Sequence, residues 1–280
     1  MCSTCGCSGG GSVVTDLGGA QEHGDSDHGH PPDHGNDHPH SHGHDHPHDD
    51  GAAADPVRHV PDTRLVELEY DVLAKNDLLA ARNRVWFEDR GILALNLMSS
   101  PGAGKTSLLE RTIRDLSPEL MLSVIEGDQE TLLDAERIRA TGCRVVQINT
   151  GSGCHLDADM LARGLRSLDP PSQSVVFIEN VGNLVCPALF DLGERSKVVI
   201  MSVTEGDDKP LKYPHMFRAA DVLLLNKLDL LPYVNFDVER CIGYARQINP
   251  GIEVLTVSAT RGDDLDRWYD WLRHRVTAAA

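Results

Sequence analysis

"SSPGAGKTS", residues 99–107, follows directly on the apolar run "ILALNLM" at 92–98. An apolar run that breaks into a glycine-rich turn ending in Gly104-Lys105-Thr106 predicts a strand, a phosphate-cradling loop and a helix from about Thr106. The P-loop pattern is G-x-x-x-x-G-K-[ST]. Here Ser99 stands at the first glycine position and the rest is intact. Glycines let the chain curl its N–H groups around phosphate oxygens. The nucleotide contacts are therefore expected along Ser100, Gly102, Ala103, Gly104, Lys105, Thr106 and Ser107. Lys105 would neutralise the β- and γ-phosphates, Thr106 would ligate Mg2+, and the following helix would add its positive end. A chance glycine-rich turn is the alternative, and the strand-turn-helix context argues against it.

Outward from this loop, strands and helices alternate. The runs "LMLSVIEG" (120–127), "RVVQI" (144–148), "SVVFIEN" (174–180), "KVVIMSV" (197–203), "DVLLLN" (221–226) and "IEVLTV" (252–257) read as further strands. Helical stretches fall at 130–140, 157–167, 237–247 and 263–275. Near-continuous Val/Ile/Leu runs indicate strands covered on both faces, hence a largely parallel sheet. The expected fold class is α/β: a P-loop NTPase with a mostly parallel sheet of about seven strands flanked by helices. Leu65, Leu68, Val72 and Leu79 recur at helical spacing, and Gly91 closes a helix on the domain edge.

The chain changes character near residue 62. Eleven acidic side chains against one basic, Arg58, put ten of its seventeen net negative charges before that point. Residues 8–62 are rich in Gly, Asp, His and Pro, and cannot bury enough surface to offset ordering entropy; disorder is expected there. Three regions follow: a cysteine motif at 1–7, a His/Asp-rich tail at 8–62 and a nucleotide-binding domain at 63–280. The acidic balance argues against nucleic acid or an anionic membrane as partner. No apolar run approaches the roughly 18 residues that span a bilayer, and no secretion signal precedes the domain. A cytoplasmic location is expected, where thiols stay reduced. The seven cysteines are then read as thiols or metal ligands.

The run "LLLNKLD" sets Asn226, Lys227 and Asp229 in an N-K-x-D pattern after a strand. An aspartate there accepts two hydrogen bonds from guanine, a donor pair that adenine lacks, so GTP and GDP are the expected nucleotides. Ser258 and Ala259, after the last strand, would bring a backbone N–H to the guanine oxygen. Glu179 opens an E-x-x-G pattern with Gly182 and suits an acid reaching Mg2+; Asp128 is the candidate for orienting water or contacting Mg2+. Lys105, Asp128 and Glu179 form the expected catalytic set. Either acid could instead be a strand-end residue or a helix cap.

Cys154 and His155 adjoin in "GSGCHLDADM", and Cys186 lies in "NLVCPALF". Two thiolates and an imidazole suit Ni2+ or Zn2+, although three ligands under-fill a tetrahedron. Water or a second copy of the chain could complete it. Cys2, Cys5 and Cys7 form C-x-x-C-G-C, a donor set favouring Ni2+. His28, His30, His34, His38, His40, His42, His44, His46 and His48 form a comb of weak imidazole ligands. Cys143 and Cys241 read as structural, and His215 and His274 as surface or packing residues.

Together "CSTCGC", "SSPGAGKTS", "EGDQETLLDAERI", "NTGSGCHLDADM", "IENVGNLVCPALFDLGE", "SVTEGDDKPLKYPHMF" and "LLLNKLDLLPY" resemble the HypB family of hydrogenase nickel-incorporation GTPases. The resemblance spans 64–280 and the terminal motif. It implies slow GTP hydrolysis, homodimerisation on GTP binding and nickel delivery to the [NiFe] hydrogenase large-subunit precursor. It further implies a HypA-type nickel and zinc accessory partner and, in some cases, a nickel-binding prolyl isomerase. It matches the inner metal site, at a dimer interface, to Cys154, His155 and Cys186, and the tight nickel site to Cys2, Cys5 and Cys7. Lys209 or Lys212 would touch nucleotide across the dimer. The urease accessory GTPases are the nearest alternative, and a mainly nickel-storing protein is another.

Overall fold

The computed structural model describes residues 12–16, 63–129 and 131–279. Its elements run β1 (Val13–Asp16), α1 (Thr63–Glu88), β2 (Leu93–Ser99), α2 (Lys105–Leu116), β3 (Leu122–Asp128) and α3 (Leu133–Arg139). There follow β4 (Arg144–Asn149), α4 (Ala158–Leu168), β5 (Val175–Glu179), α5 (Cys186–Leu189), β6 (Ser196–Ser202), α6 (Lys209–Lys212) and α7 (Pro214–Ala219). The chain ends with β7 (Val222–Asn226), a 3-10 turn (Leu228–Tyr233), α8 (Val238–Ile248), β8 (Glu253–Thr256) and α9 (Leu265–Ala279).

One sheet has the order β1-β4-β3-β5-β2-β6-β7-β8. The seven expected strands are all parallel neighbours. An eighth, β1, pairs antiparallel on β4. Residues 13–16 therefore belong to the sheet, not to the low-complexity tail in which the sequence reading put them. Val13 and Val14 are its only apolar residues, too short a run to announce a strand.

Successive β2 side chains feed opposite faces, as a pleated strand requires. Leu93, Leu95 and Leu97 meet α2 and α9 through Leu109, Ile113 and Trp268. Ala94 joins Phe87 of α1 and Leu161 and Leu165 of α4 on the other face. Helix α1 is pinned there by buried amides: Asn83 Nδ2 donates to Ala158 O at 2.8 Å, and Asn76 Oδ1 accepts from Ala158 N at 2.9 Å. The carboxyl ends of the parallel strands thus carry all the loops of interest. No helix among the described residues is long and apolar enough to cross a membrane.

Candidate functional site

The loop between β2 and α2 takes the expected P-loop course. Gly104 adopts φ 93°, and a Cβ added there would lie 2.6 Å from Asn226 Nδ2, so only glycine fits. The loop walls a cavity of ≈ 490 Å³, opposite Asp128, Arg137, Gly182 and Lys227. Lys105 Nζ lies 2.7 Å from Glu179 Oε1, and Thr106 Oγ1 donates to the same oxygen at 2.6 Å. Glu179 is fully buried, and its Oε2 has no hydrogen-bond partner among the described residues. A buried carboxylate oxygen left unmet, beside a threonine hydroxyl, is a donor set suited to a hard cation.

Glu126 is a residue that sequence reasoning missed. Parallel register sets it directly beside Glu179 across β3 and β5, so both carboxyls face the P-loop. Burial, reinforced by the Glu179 charge and opposed by Lys105, pushes its pKa up to about 9. It is protonated at neutral pH. Asp128, two residues on, behaves oppositely. Burial would raise it, but hydrogen bonds from Thr131 Oγ1 (2.7 Å) and the Gln129 and Thr131 N–H groups hold it below the usual carboxylate range. Its carboxylate both lines the cavity and caps the following turn. Arg137 of α3 was also missed; it donates to Ser107 Oγ at 3.1 Å and pairs with Glu110 at 2.8 Å. Ser100 lines the cavity and its Oγ donates to Glu205, which also holds Lys209 Nζ and accepts from Ser202 N at 2.9 Å. Lys212 pairs with Asp208 at 2.7 Å.

On the base side, Asn226 staples two loops: its Nδ2 donates to Ala103 O at 3.0 Å and its Oδ1 accepts from Ala259 N at 3.1 Å. Lys227 Nζ donates to Gly102 O at 2.6 Å. Asp229 Oδ1 accepts from Ser258 Oγ at 2.5 Å, which orients the carboxylate at the loop end. The N–H groups of Ser258 and Ala259 are spent within the chain, on Asp263 O and Asn226 Oδ1.

Cys154, His155 and Cys186 converge, with one ligand atom from each lying within 4.8 Å of the others. The two Sγ atoms are 3.0 Å apart, and Cys154 Sγ is 3.7 Å from His155 Nδ1. His155 stacks on Phe190, ring centroids 3.8 Å apart. Burial lowers its pKa, against an opposing push from Asp157, which favours the neutral imidazole, the form that ligates metal. Cys143 and Cys241 pack into the core, where burial pushes both thiols up to about 12. His274 is exposed against Asp270 O. Cys2, Cys5, Cys7 and the histidine comb lie outside the described residues.

Asn180 joins the two sites, and nothing local in the sequence signals it. It follows Glu179 and is fully buried, and its Oδ1 accepts from Leu156 N at 3.1 Å and Val181 N at 3.0 Å. Its Nδ2 donates to Asn96 Oδ1 at 3.2 Å. Leu156 adjoins His155, so the phosphate-site acid and the metal loop are separated by one buried amide. Close packing reinforces the link, since a Cβ on Gly127 would strike the Leu156 side chain at 2.7 Å.

Comparison with known proteins agrees with this geometry. The family described as CobW/HypB/UreG, nucleotide-binding domain, matches residues 93–256. Hydrogenase maturation factor HypB of Escherichia coli K12 is 59% identical over 209 residues, 75% of this chain and 72% of the relative. The crystal structure of hydrogenase maturation factor HypB from Archaeoglobus fulgidus superposes with TM-score 0.68 at 41% identity, over 73% of this chain and all of that one. HypB from Helicobacter pylori, crystallised in complex with nickel, gives TM-score 0.68 at 37% identity, over 73% of this chain and 96% of that one. The chain belongs to the HypB family of hydrogenase maturation factors.

Proposed function

We propose that this chain is a GTP-hydrolysing nickel carrier that loads nickel into the [NiFe] hydrogenase large-subunit precursor in the cytoplasm. In this reading GTP drives homodimerisation, and the dimer gates metal passage to a HypA-type accessory protein. A nickel-binding prolyl isomerase is a further source of metal. Cys2, Cys5 and Cys7 take up nickel, and the histidine comb holds a reserve. Cys154, His155 and Cys186 carry the ion next to the nucleotide site, with Zn2+ as the competing occupant.

The observation that carries the reading is the Glu179–Asn180 step. Glu179 engages Lys105 and Thr106, while Asn180 accepts from the backbone beside His155. Thr106, Glu179 and Asp128 would hold Mg2+, which neutralises phosphate charge when bound. Lys105 would then exchange Glu179 for phosphate oxygens. Any shift of Glu179 is passed through Asn180 to the metal loop, so the GTP and GDP states differ in nickel affinity. Linkage makes the effect reciprocal, with nickel altering nucleotide affinity or dimerisation. Asp229, oriented by Ser258, selects guanine, and Asp128 would orient the attacking water.

The test is nickel titration of the metal-free chain with GDP and with a non-hydrolysable GTP analogue, alongside Cys186→Ala. The expected difference is at least about 5-fold, the low end of typical coupling, and Cys186→Ala abolishes inner-site binding. Equal affinities in the two nucleotide states overturn the reading.

A further inference from the structure

Helix α1 contributes nothing to the wall of the nucleotide cavity, yet its buried face carries two polar residues. Asn76, Ala80, Asn83 and Phe87 recur at steps of four and three, the spacing of one helix face, and none is more than 6% exposed. Leucine at either asparagine position would fill such a stripe, whereas a buried amide is costly unless it is hydrogen-bonded. Both asparagines are bonded, and their partners are the two chain segments that carry the inner metal ligands.

The first segment runs from Cys154 and His155 into α4, whose first residue is Ala158. The Ala158 N–H is one of the donors that a helix start leaves without an internal partner. It goes to Asn76 Oδ1 at 2.9 Å, and the Ala158 carbonyl accepts from Asn83 Nδ2 at 2.8 Å. The second segment runs from Cys186 through α5 to Leu192. There Asp191 O accepts from Asn76 Nδ2 at 2.7 Å, and Leu192 O accepts from Asn83 Nδ2 at 3.1 Å. Each asparagine therefore bonds both segments. Arg84 adds a bidentate pair with Asp191, at 2.7 and 2.8 Å. Gly193, at φ 88°, lies against the helix backbone: a Cβ there would come within 2.4 Å of Ala80 O, so only glycine allows the approach.

The two asparagines are seven residues apart, about 10 Å along the helix, and so fix the tilt of the segments as well as their spacing. Away from the helix the segments meet at the ligands. Phe190, one residue before Asp191, stacks on His155, and the Cys154 and Cys186 Sγ atoms are 3.0 Å apart. Thiols bind metal as thiolates, and two like charges that close repel. A rigid hold on both segments opposes their separation.

We infer that Asn76 and Asn83 are positioning residues for the inner metal site: they clamp the Cys154-His155 segment to the Cys186 segment, so that the three donor atoms are assembled before an ion arrives. The inference rests on the nickel-carrier reading above for the identity of the ion, and adds what holds the site together. The asparagines act through the backbone, by fixing where the two segments leave the helix. The donors are then gathered during folding rather than during binding, which is how a preorganised site gains affinity.

The test uses the full chain carrying Cys2→Ser, Cys5→Ser and Cys7→Ser, so that the inner site supplies both the nickel–thiolate absorption and the reactive thiols. Cys143 and Cys241 are pushed up to about 12 by burial and stay protonated at pH 7. Diamide is added without metal. It takes one hydrogen from each thiol and is reduced to the hydrazine as the Cys154–Cys186 bond forms, and peptide mapping follows that bond. Ni2+ is titrated separately by its thiolate absorption. Asn76→Leu and Asn83→Leu keep the volume of the stripe and remove the bonds. Each should slow the cross-link several-fold and lower inner-site nickel affinity by about 10- to 100-fold, the usual effect of losing a group that holds a ligand in place. Leu116→Ala, in the core on the opposite face of the sheet, controls for lost stability: it should change neither readout, even where it lowers the urea midpoint as much. Arg84→Ala, at the part-exposed edge of the contact, should act in the same direction as the asparagine variants and decides the matter where a buried variant does not fold. Cross-linking and affinity equal to wild type, or changed no more than in Leu116→Ala, overturn the clamp. A wild type whose Cys154 and Cys186 do not cross-link also overturns it. Slowed cross-linking in the variants beside a wild-type inner site that takes no nickel upholds the clamp and overturns the carrier reading instead.

Discussion

Replacing Asn180 with alanine should uncouple the metal site from the nucleotide while leaving both able to bind. The change removes the acceptor for Leu156 N and Val181 N and the donor to Asn96 Oδ1. Each buried group left unmet costs about 1–3 kcal/mol, and the Val181 contact is local and readily replaced. The net loss should be about 2–4 kcal/mol, which a domain of ordinary stability, about 5–15 kcal/mol, survives. Urea unfolding reads this first effect. Nickel titrations with GDP and with a non-hydrolysable GTP analogue read the second. Wild type should show a ratio in the range of about 5 to 150, and Asn180→Ala a ratio near one. Asn96→Ala is the companion variant, because it loses the bonds to Glu194 and Asn180 but leaves Leu156 N paired. It should lose stability and keep the ratio. If Asn180→Ala is destabilised but retains the wild-type ratio, the route through the buried amide is wrong.

Two further outcomes follow from the same geometry. Asp229→Asn turns an acceptor pair into one donor and one acceptor; GTP affinity should fall by about 100-fold, from two charge-assisted bonds lost, with xanthosine triphosphate gaining in its place. Calorimetric titration checks this, and a loss under threefold would show that Asp229 does not read the base. Glu126 binds its proton more tightly folded than unfolded, because burial raises its pKa from 4.5 to about 9. Its contribution to stability is therefore complete below about pH 4.5 and is lost as pH rises towards 9. In metal-free, nucleotide-free protein, Glu126→Gln should be more stable than wild type at pH 8 by a few kcal/mol, on the order of one per pH unit above 4.5. Thermal melts at pH 5 and pH 8 decide it, and a constant difference between the two pH values would refute the assignment.

What was legible in the sequence was local or repeated. Ser99–Ser107 announced its own turn, and the Val/Ile/Leu runs announced seven strands because each is long enough to be buried on both faces. Asp229 and Glu179 were legible because they sit at strand ends within short patterns. Strand β1 was not, since two valines among glycines have no period, and its partner Asn149 lies more than a hundred residues away. The Asn96–Asn180–Leu156 bonds were invisible for the same reason: they join residues distant in the chain, and asparagine inside a strand carries no local signal. Glu126 passed for strand filler until the register set it against Glu179. Cys154-His155 was grouped with Cys186 on donor type alone, which left metal binding open because the two segments are more than thirty residues apart in the chain, and the family resemblance supplied the match.

The two ions that this domain would handle are kept apart by donor chemistry rather than by distance. Thr106, Asp128 and Glu179 offer oxygen alone, which suits Mg2+ and discriminates poorly among divalent ions by affinity. Cys154, His155 and Cys186 offer sulfur and nitrogen, which Mg2+ does not accept and Ni2+ or Zn2+ prefers. Of two adjacent residues at one strand end, Glu179 touches the oxygen set and Asn180 touches the backbone N–H of Leu156, next to His155. Such closeness is useful only if the ions do not exchange places, and the hard and soft donors ensure that they do not. A carboxylate in place of Cys186 should therefore do more than weaken nickel binding. It would let Mg2+ compete for the inner site, and nickel affinity in that variant should fall as Mg2+ is raised, a dependence the wild-type thiolate site should lack.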